Sequence, residues 1–223
     1  LLIYDYINKK APEFVHLPLI FGKDKSKLSK RHGANSIIEY KNQGLLPNAL
    51  LNYLALLGWS PGNDLEILSP EDISNLFEIK GLSTSPSIFD PEKLSWINGV
   101  HIRDLDVSEL SKIVKEKVSL NSSNVENISK DDYLKITVLI RERIKSLDEI
   151  YPLIKFFFEY EKPNNSLIKC ADLSTSQIID LNQELIKDLN NLKDNNKVSS
   201  SDIERLLRNN CEKLSLKVRD YLS

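Results

Sequence analysis

Apolar residues recur at helical spacing along most of this 223-residue chain. The clearest case predicts a helix over residues 45–57, with Pro47 in its first turn and Gly58 at its end. A second apolar stripe, formed by Tyr133, Ile136, Ile140 and Ile144, is typical of a helix that packs one face against a core. The same periodicity predicts an all-helical second half, with helices over 131–147, 148–161, 175–192 and 201–222.

Local start and stop signals divide the middle of the chain into further helices. Ser69-Pro70-Glu71-Asp72 combines a capping serine, a proline in the first turn and acidic residues near the positive end of the helix dipole. Asp90-Pro91-Glu92 repeats this arrangement, and Gly99 is predicted to end the short helix that follows. Ser108 is predicted to begin another helix, whose core face holds Leu110, Ile113, Val114 and Val118.

The first 34 residues follow a different pattern. Residues 1–7 resemble the end of an amphipathic helix, and residues 14–21 are apolar and β-prone, with Pro18 limiting them to an edge or short strand. Residues 22–26 form a polar turn, and a returning strand from Lys27 would complete a hairpin-like loop. Much later, residues 120–130 hold three Asn and three Ser, which makes them the best candidate for a linker.

Composition indicates an ordinary globular protein, with 41% hydrophobic and 28% charged residues. No apolar run approaches the roughly 20 residues that a membrane span requires, and the charged first ten residues do not resemble a signal peptide. Two cysteines, Cys170 and Cys211, are too few for a disulfide framework or a metal site, so we expect a reducing, cytoplasmic setting and no bound metal. The chain contains no Met, so we expect Leu1 not to be the natural start.

Charge is distributed unevenly along the chain. Residues 1–41 hold eight Lys or Arg and four acidic residues, whereas residues 42–110 hold three and ten. A basic block in an otherwise acidic chain favours an anionic partner at one place. Within this block, residues 22–34 bring Lys27, Lys30 and Arg31 together between two glycines, an arrangement suited to a polyphosphate. Composition alone favours a solvated surface cluster instead.

The order of the residues changes that balance. Lys-Leu-Ser-Lys-Arg at 27–31 resembles the second signature of class I aminoacyl-tRNA synthetases, usually written KMSKS. The flanking segments, taken in order, resemble bacterial glutamyl-tRNA synthetase over roughly residues 1–105, and from about residue 130 the similarity is one of helical pattern. These segments are His16-Leu-Pro-Leu-Ile, Leu46-Pro47, Asn52-Tyr-Leu-Ala-Leu-Leu-Gly-Trp-Ser-Pro-Gly62, Phe89-Asp-Pro-Glu-Lys-Leu and Trp96-Ile-Asn-Gly99.

The resemblance implies roles for individual residues. Lys30 matches the lysine that contacts the ATP phosphates and stabilises the departing pyrophosphate, so it is the expected catalytic residue. Lys27, Leu28, Ser29 and Arg31 complete the expected ATP-binding loop, with Arg31 where the general signature has Ser. The family also implies Mg²⁺ with the ATP. The HIGH signature and the glutamate-binding residues are expected upstream of Leu1.

The resemblance also implies an organisation. The expected fold is mainly α with a small α/β part. Residues 1–34 would be the end of a class I nucleotide-binding fold, 35–120 a domain contacting the tRNA stem, and 121–223 an incomplete α-helical anticodon-binding domain. The parent enzyme would attach glutamate to the 3′ end of tRNA(Glu), as a monomer with no membrane association. The fragment alone is expected to be inactive.

Other residues keep two interpretations. Arg103 can contact a tRNA phosphate or form a structural ion pair. For Trp59 and Trp96, the neighbouring apolar residues favour core packing over stacking on an RNA base. The two cysteines are interpreted as small apolar side chains that fill space in a core. Two rival functions also remain, a non-catalytic tRNA-binding module and a helical protein–protein adaptor. A glutaminyl enzyme is disfavoured by the KLSKRHG form and the helical second half, and a shortened paralogue by the presence of that half.

Overall fold

The structure is a computed structural model that describes residues 1–29, 36–62, 64–122, 128–159, 174–193 and 198–213. It is mainly helical with a small two-stranded parallel sheet, as the sequence predicts. The elements are α1 (Leu2–Tyr6), β1 (Ile20–Phe21), α2 (Ile37–Asn42), α3 (Pro47–Gly58), α4 (Pro70–Leu76), β2 (Ser87–Ile88), α5 (Pro91–Asp104), α6 (Val107–Asn121), α7 (Lys130–Arg141), α8 (Ile150–Ile154), α9 (Thr175–Lys193) and α10 (Ser200–Lys213), with 3₁₀ turns at Ile79–Gly81, Leu147–Glu149 and Lys155–Phe157. No described helix is both long enough and apolar enough to span a membrane.

The chain divides into two compact units, Leu1–Tyr160 and Glu161–Ser223. In the second unit, α9 and α10 pack against each other, with Ile178, Leu181 and Cys211 buried. Lys213 of α10 also forms an ion pair with Glu184 of α9. Cys211 is therefore an apolar filler, as predicted, whereas Cys170 lies outside the described residues.

The first unit contains two hydrophobic cores that meet along α5. The first core is built mainly on α3 and on the region around β2. The second core is built mainly on α6, α7 and α8. α5 contributes to both, because Ile97 is buried in the first core and Ile102 in the second. The first core comprises Tyr40, Ala49, Leu50, Tyr53, Leu57, Phe89, Leu94 and Ile97, and the second comprises Ile102, Leu110, Val114, Val118, Tyr133, Ile136, Ile140, Ile144, Ile150, Ile154 and Phe158.

Most helix starts lie where local signals predict them. Ser69 forms a capping box with Asp72 at the start of α4, and Asp90 accepts a hydrogen bond from the Glu92 amide at the start of α5. Pro47 and Gly58 are the first and last residues of α3. The predicted stripe of Tyr133, Ile136, Ile140 and Ile144 is buried in the second core.

Other predictions from the sequence are wrong. Gly99 does not end α5, which continues to Asp104. A Cβ at Gly99 would lie 3.3 Å from Lys145 Cγ, so this glycine permits close packing rather than a turn. α6 begins at Val107 with Asp106 as its cap, one residue before the predicted Ser108, because the Asp106 side chain accepts a hydrogen bond from the Ser108 amide.

Proline limits the extent of two predicted elements. The run over 14–21 holds only the short strand β1, which begins after Pro18, in agreement with the prediction of an edge or short strand. The helix over 148–161 is broken into α8 and two 3₁₀ turns, since Pro152 cannot donate the hydrogen bond that would join α8 to the turn before it. The prediction of core packing is confirmed for Trp59, which is 5% exposed, but it is wrong for Trp96, which is 41% exposed.

Gly44 is a position in the first unit where a side chain is poorly tolerated. Its φ is +76°, and a Cβ would lie 2.5 Å from the backbone nitrogen of Asp148. We expect Gly44→Ala to lower the free energy of unfolding by about 1–3 kcal/mol. Urea unfolding followed by the fluorescence of Trp59 and Trp96, both in the first unit, measures this change.

Gly58→Ala is the matched control. A Cβ there meets nothing within 4 Å, and Gly58 is helical. Its unfolding midpoint should stay the same or rise, because alanine restricts the unfolded chain more than glycine does. Equal midpoints for the two variants would contradict the close approach at Gly44.

Candidate functional site

The segment before the predicted ATP loop is a closed hairpin. The Leu28 amide donates to the Ile20 carbonyl at 2.9 Å, and the Gly22 amide donates to the Ser26 carbonyl at 2.9 Å. Phe21 and Lys27 form an antiparallel bridge between these two bonds. The predicted hairpin-like loop is therefore confirmed.

The turn of this hairpin is closed by its own polar groups. The Lys25 amide donates to the Gly22 carbonyl at 3.0 Å, and Lys25 has a φ of +61°. The Asp24 carboxylate accepts from both the amide and the hydroxyl of Ser26, at 3.0 and 2.9 Å. An aspartate that bonds the backbone two residues later is a common way of closing a turn. Local sequence thus fixes the hairpin tip.

The base of the hairpin is attached to the first core. β1 pairs in parallel with β2, with Ile20 opposite Ser87 and Phe21 opposite Ile88. The Phe89 amide also donates to the Phe21 carbonyl at 2.8 Å. Because β2 leads directly into α5, the hairpin and α5 are held in one framework.

Lys23 adds an electrostatic contact between the hairpin and α5. Its Nζ lies 3.1 Å from Asp90 Oδ1 and 3.0 Å from Glu92 Oε1. Hydrogen bonds to Glu92 and Asp90 raise the pKa of Lys23, and the bond from Lys23 lowers the pKa of Asp90. The Tyr53 hydroxyl accepts from the Asp90 amide at 2.7 Å, and burial raises the pKa of Tyr53 to about 12. Tyr53 therefore stays neutral at physiological pH.

The predicted ATP-binding residues are described only in part. Lys27 and Ser29 are exposed, whereas Leu28 is half-buried and packs against the first core. Alternate residues of an extended segment point to opposite sides, so Leu28 holds the segment down while Lys27 and Ser29 face outward. Lys30 and Arg31 follow directly in the sequence and lie outside the described residues.

An apolar cavity of about 560 Å³ lies beside the hairpin, between α3, α4 and the residues before β1. Its lining includes Val15, Leu17, Leu54, Phe77 and Ile79. A polyphosphate is bound best by cations, and the lining includes no Lys, Arg or His side chain. The cavity is therefore unsuited to the phosphates, and the exposed cations of the hairpin are the better candidates.

Arg103 lies near the end of α5, away from the hairpin in sequence. Its Nε is 3.9 Å from Glu142 Oε2, and its carbonyl accepts a hydrogen bond from the Arg141 guanidinium. A long ion pair is therefore present, in agreement with one of the two interpretations of Arg103. The tRNA contact stays a prediction.

Sequence reasoning missed the residues that hold the hairpin in place. The sequence predicts only a polar turn around Lys23, because its partner Glu92 is 69 residues away and no local pattern connects the two residues. Tyr53 lies within the helix predicted over residues 45–57, and its helical spacing does not reveal the hydrogen bond that its hydroxyl accepts from the Asp90 amide. Among the described residues, no group of three or more His, Cys, Asp or Glu side chains is arranged to hold a metal ion.

Two protein-family models match this chain. Residues 1–96 match the family model described as tRNA synthetases class I (E and Q), catalytic domain. Residues 107–223, more than half of the chain, match the anticodon binding domain. The chain therefore belongs to the class I tRNA synthetases for glutamate and glutamine, with part of the catalytic domain followed by an anticodon binding domain.

Individual relatives point to the glutamate branch of this family. The chain is 37% identical to glutamate–tRNA ligase 1 of Syntrophomonas wolfei, and the match covers 100% of this chain and 44% of that protein. It is 34% identical to glutamate–tRNA ligase 2 of Caldicellulosiruptor saccharolyticus, covering 100% of this chain and 45% of the relative. The chain thus spans less than half the length of these relatives. The resemblance to glutamyl-tRNA synthetase seen in the sequence is confirmed.

A solved structure shows the same arrangement. A crystal structure of a glutamate tRNA ligase from Elizabethkingia meningosepticum, in complex with its amino acid, superposes with a TM-score of 0.78 and 27% identity. The superposition covers 97% of this chain and 45% of that one. The fold is therefore shared along almost the whole of this chain.

The Lys23 contact generates a testable prediction about the hairpin. Lys23→Met removes both ion pairs, so we expect the Asp90 pKa to rise toward its ordinary value of 3.8. Exposed ion pairs contribute little, so the Leu28 amide should exchange with solvent only about twofold to fivefold faster. NMR titration and hydrogen exchange measure both effects.

Lys80→Met is the control, because Lys80 forms an exposed ion pair with Glu78 that does not touch the hairpin. Its Leu28 exchange rate should match that of the wild type. If Lys23→Met leaves both the Asp90 pKa and the exchange rate unchanged, the contact does not hold the hairpin.

Proposed function

We propose that this chain is the part of a glutamate–tRNA ligase that carries its ATP loop and its tRNA-contacting helices. The parent reaction activates glutamate with ATP, releases pyrophosphate, and transfers glutamate to the 3′ end of tRNA(Glu). The observation that carries this proposal is the hairpin. It is closed at its tip, fixed at its base to the first core, and leads directly into Lys30 and Arg31.

In this proposal, Lys30 stabilises the negative charge that builds up on the phosphates as pyrophosphate departs. Lys27 and Ser29 face outward from the hairpin and supply a further cation and a hydroxyl donor, while Leu28 anchors the loop through its packing on the first core. Arg31 adds a planar donor group beside Lys30. Mg²⁺ would be expected with the ATP, where it would help to neutralise the charge of the phosphates.

The rest of the chain would bind tRNA. We assign residues 1–34 to the end of the nucleotide-binding fold, 35–120 to the stem-contact domain, and 121–223 to the anticodon-binding domain. Arg103 is proposed to contact a tRNA phosphate. We further propose that the parent protein acts as a monomer in the cytoplasm.

Lys30→Ala in the full-length parent enzyme tests the catalytic role. Removing one charged donor to a developing anion typically costs on the order of 10²–10³ in rate. We expect a loss of this size in the rate of pyrophosphate release, with little change in tRNA affinity. Glutamate-dependent pyrophosphate exchange and filter binding of tRNA(Glu) measure the two quantities.

Lys41→Ala is the matched control, since Lys41 is another exposed lysine of the basic first segment and lies on α2. It should retain the wild-type rate. Normal adenylate formation by Lys30→Ala would rule out the proposed role of Lys30.

Direct titration of the 223-residue chain with tRNA(Glu) separates the rival functions. We expect binding whose logarithmic affinity falls linearly with the logarithm of salt concentration, by roughly 0.7–0.9 per phosphate neutralised. Binding without charging activity is also what a non-catalytic tRNA-binding module would show, so charging by the full-length parent distinguishes that alternative. A helical protein–protein adaptor predicts no tRNA binding at any salt concentration.

A further inference from the structure

A buried side-chain amide lies where the two cores of the first unit meet. Asn98, on α5, is 0% exposed. Its Oδ1 accepts from the Leu46 amide at 2.8 Å, and its Nδ2 donates to the carbonyls of Lys145 and Gly44 at 2.7 and 3.3 Å. All three of these hydrogen bonds of the Asn98 side chain are therefore made to backbone groups.

These backbone groups belong to two loops that are distant in sequence. One is the α2–α3 loop, residues 43–46, and the other is the loop after α7, residues 142–146. Leu46 packs against both cores, so its amide is held where the cores join. The transition from one matched family model to the other also falls near Asn98, since the first match ends at residue 96 and the second begins at residue 107.

Further contacts join the same two loops directly. The Ser146 hydroxyl donates to the Gln43 carbonyl at 2.5 Å, and the Leu147 amide donates to the Gly44 carbonyl at 3.0 Å. The close packing of Gly99 on Lys145 brings α5 against the same place. We call Asn98, residues 43–46 and residues 145–147 the joint.

We infer that Asn98 is a positioning residue for tRNA, which sets the angle between the hairpin-bearing first core and the helices of the second core. A buried amide with fixed partners permits one arrangement of the two loops, because any other leaves polar groups unpaired. A rigid RNA that touches both regions gains affinity only if that arrangement matches it. This inference rests on the proposed function, since it assumes that tRNA contacts both regions.

Asn98→Asp tests the inference with little change in size. The carboxylate still accepts from Leu46, but it faces the carbonyls of Gly44 and Lys145 without a donor. The probes are tRNA(Glu) and a minihelix of its acceptor and T stems, each titrated with the 223-residue chain at one salt concentration. We expect the ratio of minihelix Kd to tRNA Kd to fall on the order of tenfold, because only the whole tRNA depends on the angle.

Asn52→Asp is the matched control for loss of stability. Asn52 is also 0% exposed, and its amide donates to the Glu66 carbonyl at 3.2 Å and accepts from the Leu68 amide at 3.1 Å. Its Oδ1 also lies 3.0 Å from His101 Nε2 on α5. None of these partners belongs to the joint. The ratio for this variant should equal that of the wild type, even if both affinities fall.

Ser146→Ala is a milder second variant for the case in which Asn98→Asp does not fold. It loses the hydrogen bond to Gln43 at a partly exposed position, so the ratio should fall about twofold to fivefold. An unchanged ratio in the folded joint variants, or an equal fall in Asn52→Asp, would overturn the inference and leave the proposed function standing. If the wild-type chain binds no tRNA at all, both the proposed function and this inference fall.

Discussion

Asn98 makes hydrogen bonds to backbone groups of two loops that lie 47 to 54 residues away from it in sequence, and the first unit depends on this arrangement. Burying an amide without partners costs free energy, so the loops must meet around it for the two cores to close. Apolar packing alone allows many relative arrangements of two cores at similar cost. Three directional bonds on one side chain select one of them.

The position of the hairpin depends on its contacts with β2 and with the start of α5. β1 pairs with β2, β2 leads into α5, and Lys23 contacts the first turn of α5 from the hairpin tip. The same helix thus supports the predicted ATP loop near its start and the joint near its middle. The predicted ATP loop and the joint, which are separated along the chain, are therefore connected through one helix.

The parts of the fold that could be predicted from the sequence are those determined by neighbouring residues. Each of these signals acts on residues only a few positions away in the chain. They are the capping residues Ser69 and Asp90, the first-turn proline Pro47 and the hairpin turn. Gly99 was misassigned because it is needed for contact with Lys145, which lies far away in sequence.

The same distinction holds for the candidate site. The order Lys-Leu-Ser-Lys-Arg predicts an ATP loop from the sequence alone; Lys27 and Ser29 are exposed, and the roles of the loop residues stay predictions. Lys23 and Asn98 carried no local signal, because their roles arise only when distant partners come together. Residues that do the chemistry are easier to find in a sequence than residues that hold them in place.

A helix that forms part of two cores couples their unfolding. If the second core opens, α5 loses the packing around Ile102, and Ile97 on the same helix loses its support in the first core. We therefore expect the two cores to unfold together as one cooperative unit. A substitution that destabilises the second core is then expected to lower the fraction of molecules in which the base of the hairpin, and with it the predicted ATP loop, is held against the first core.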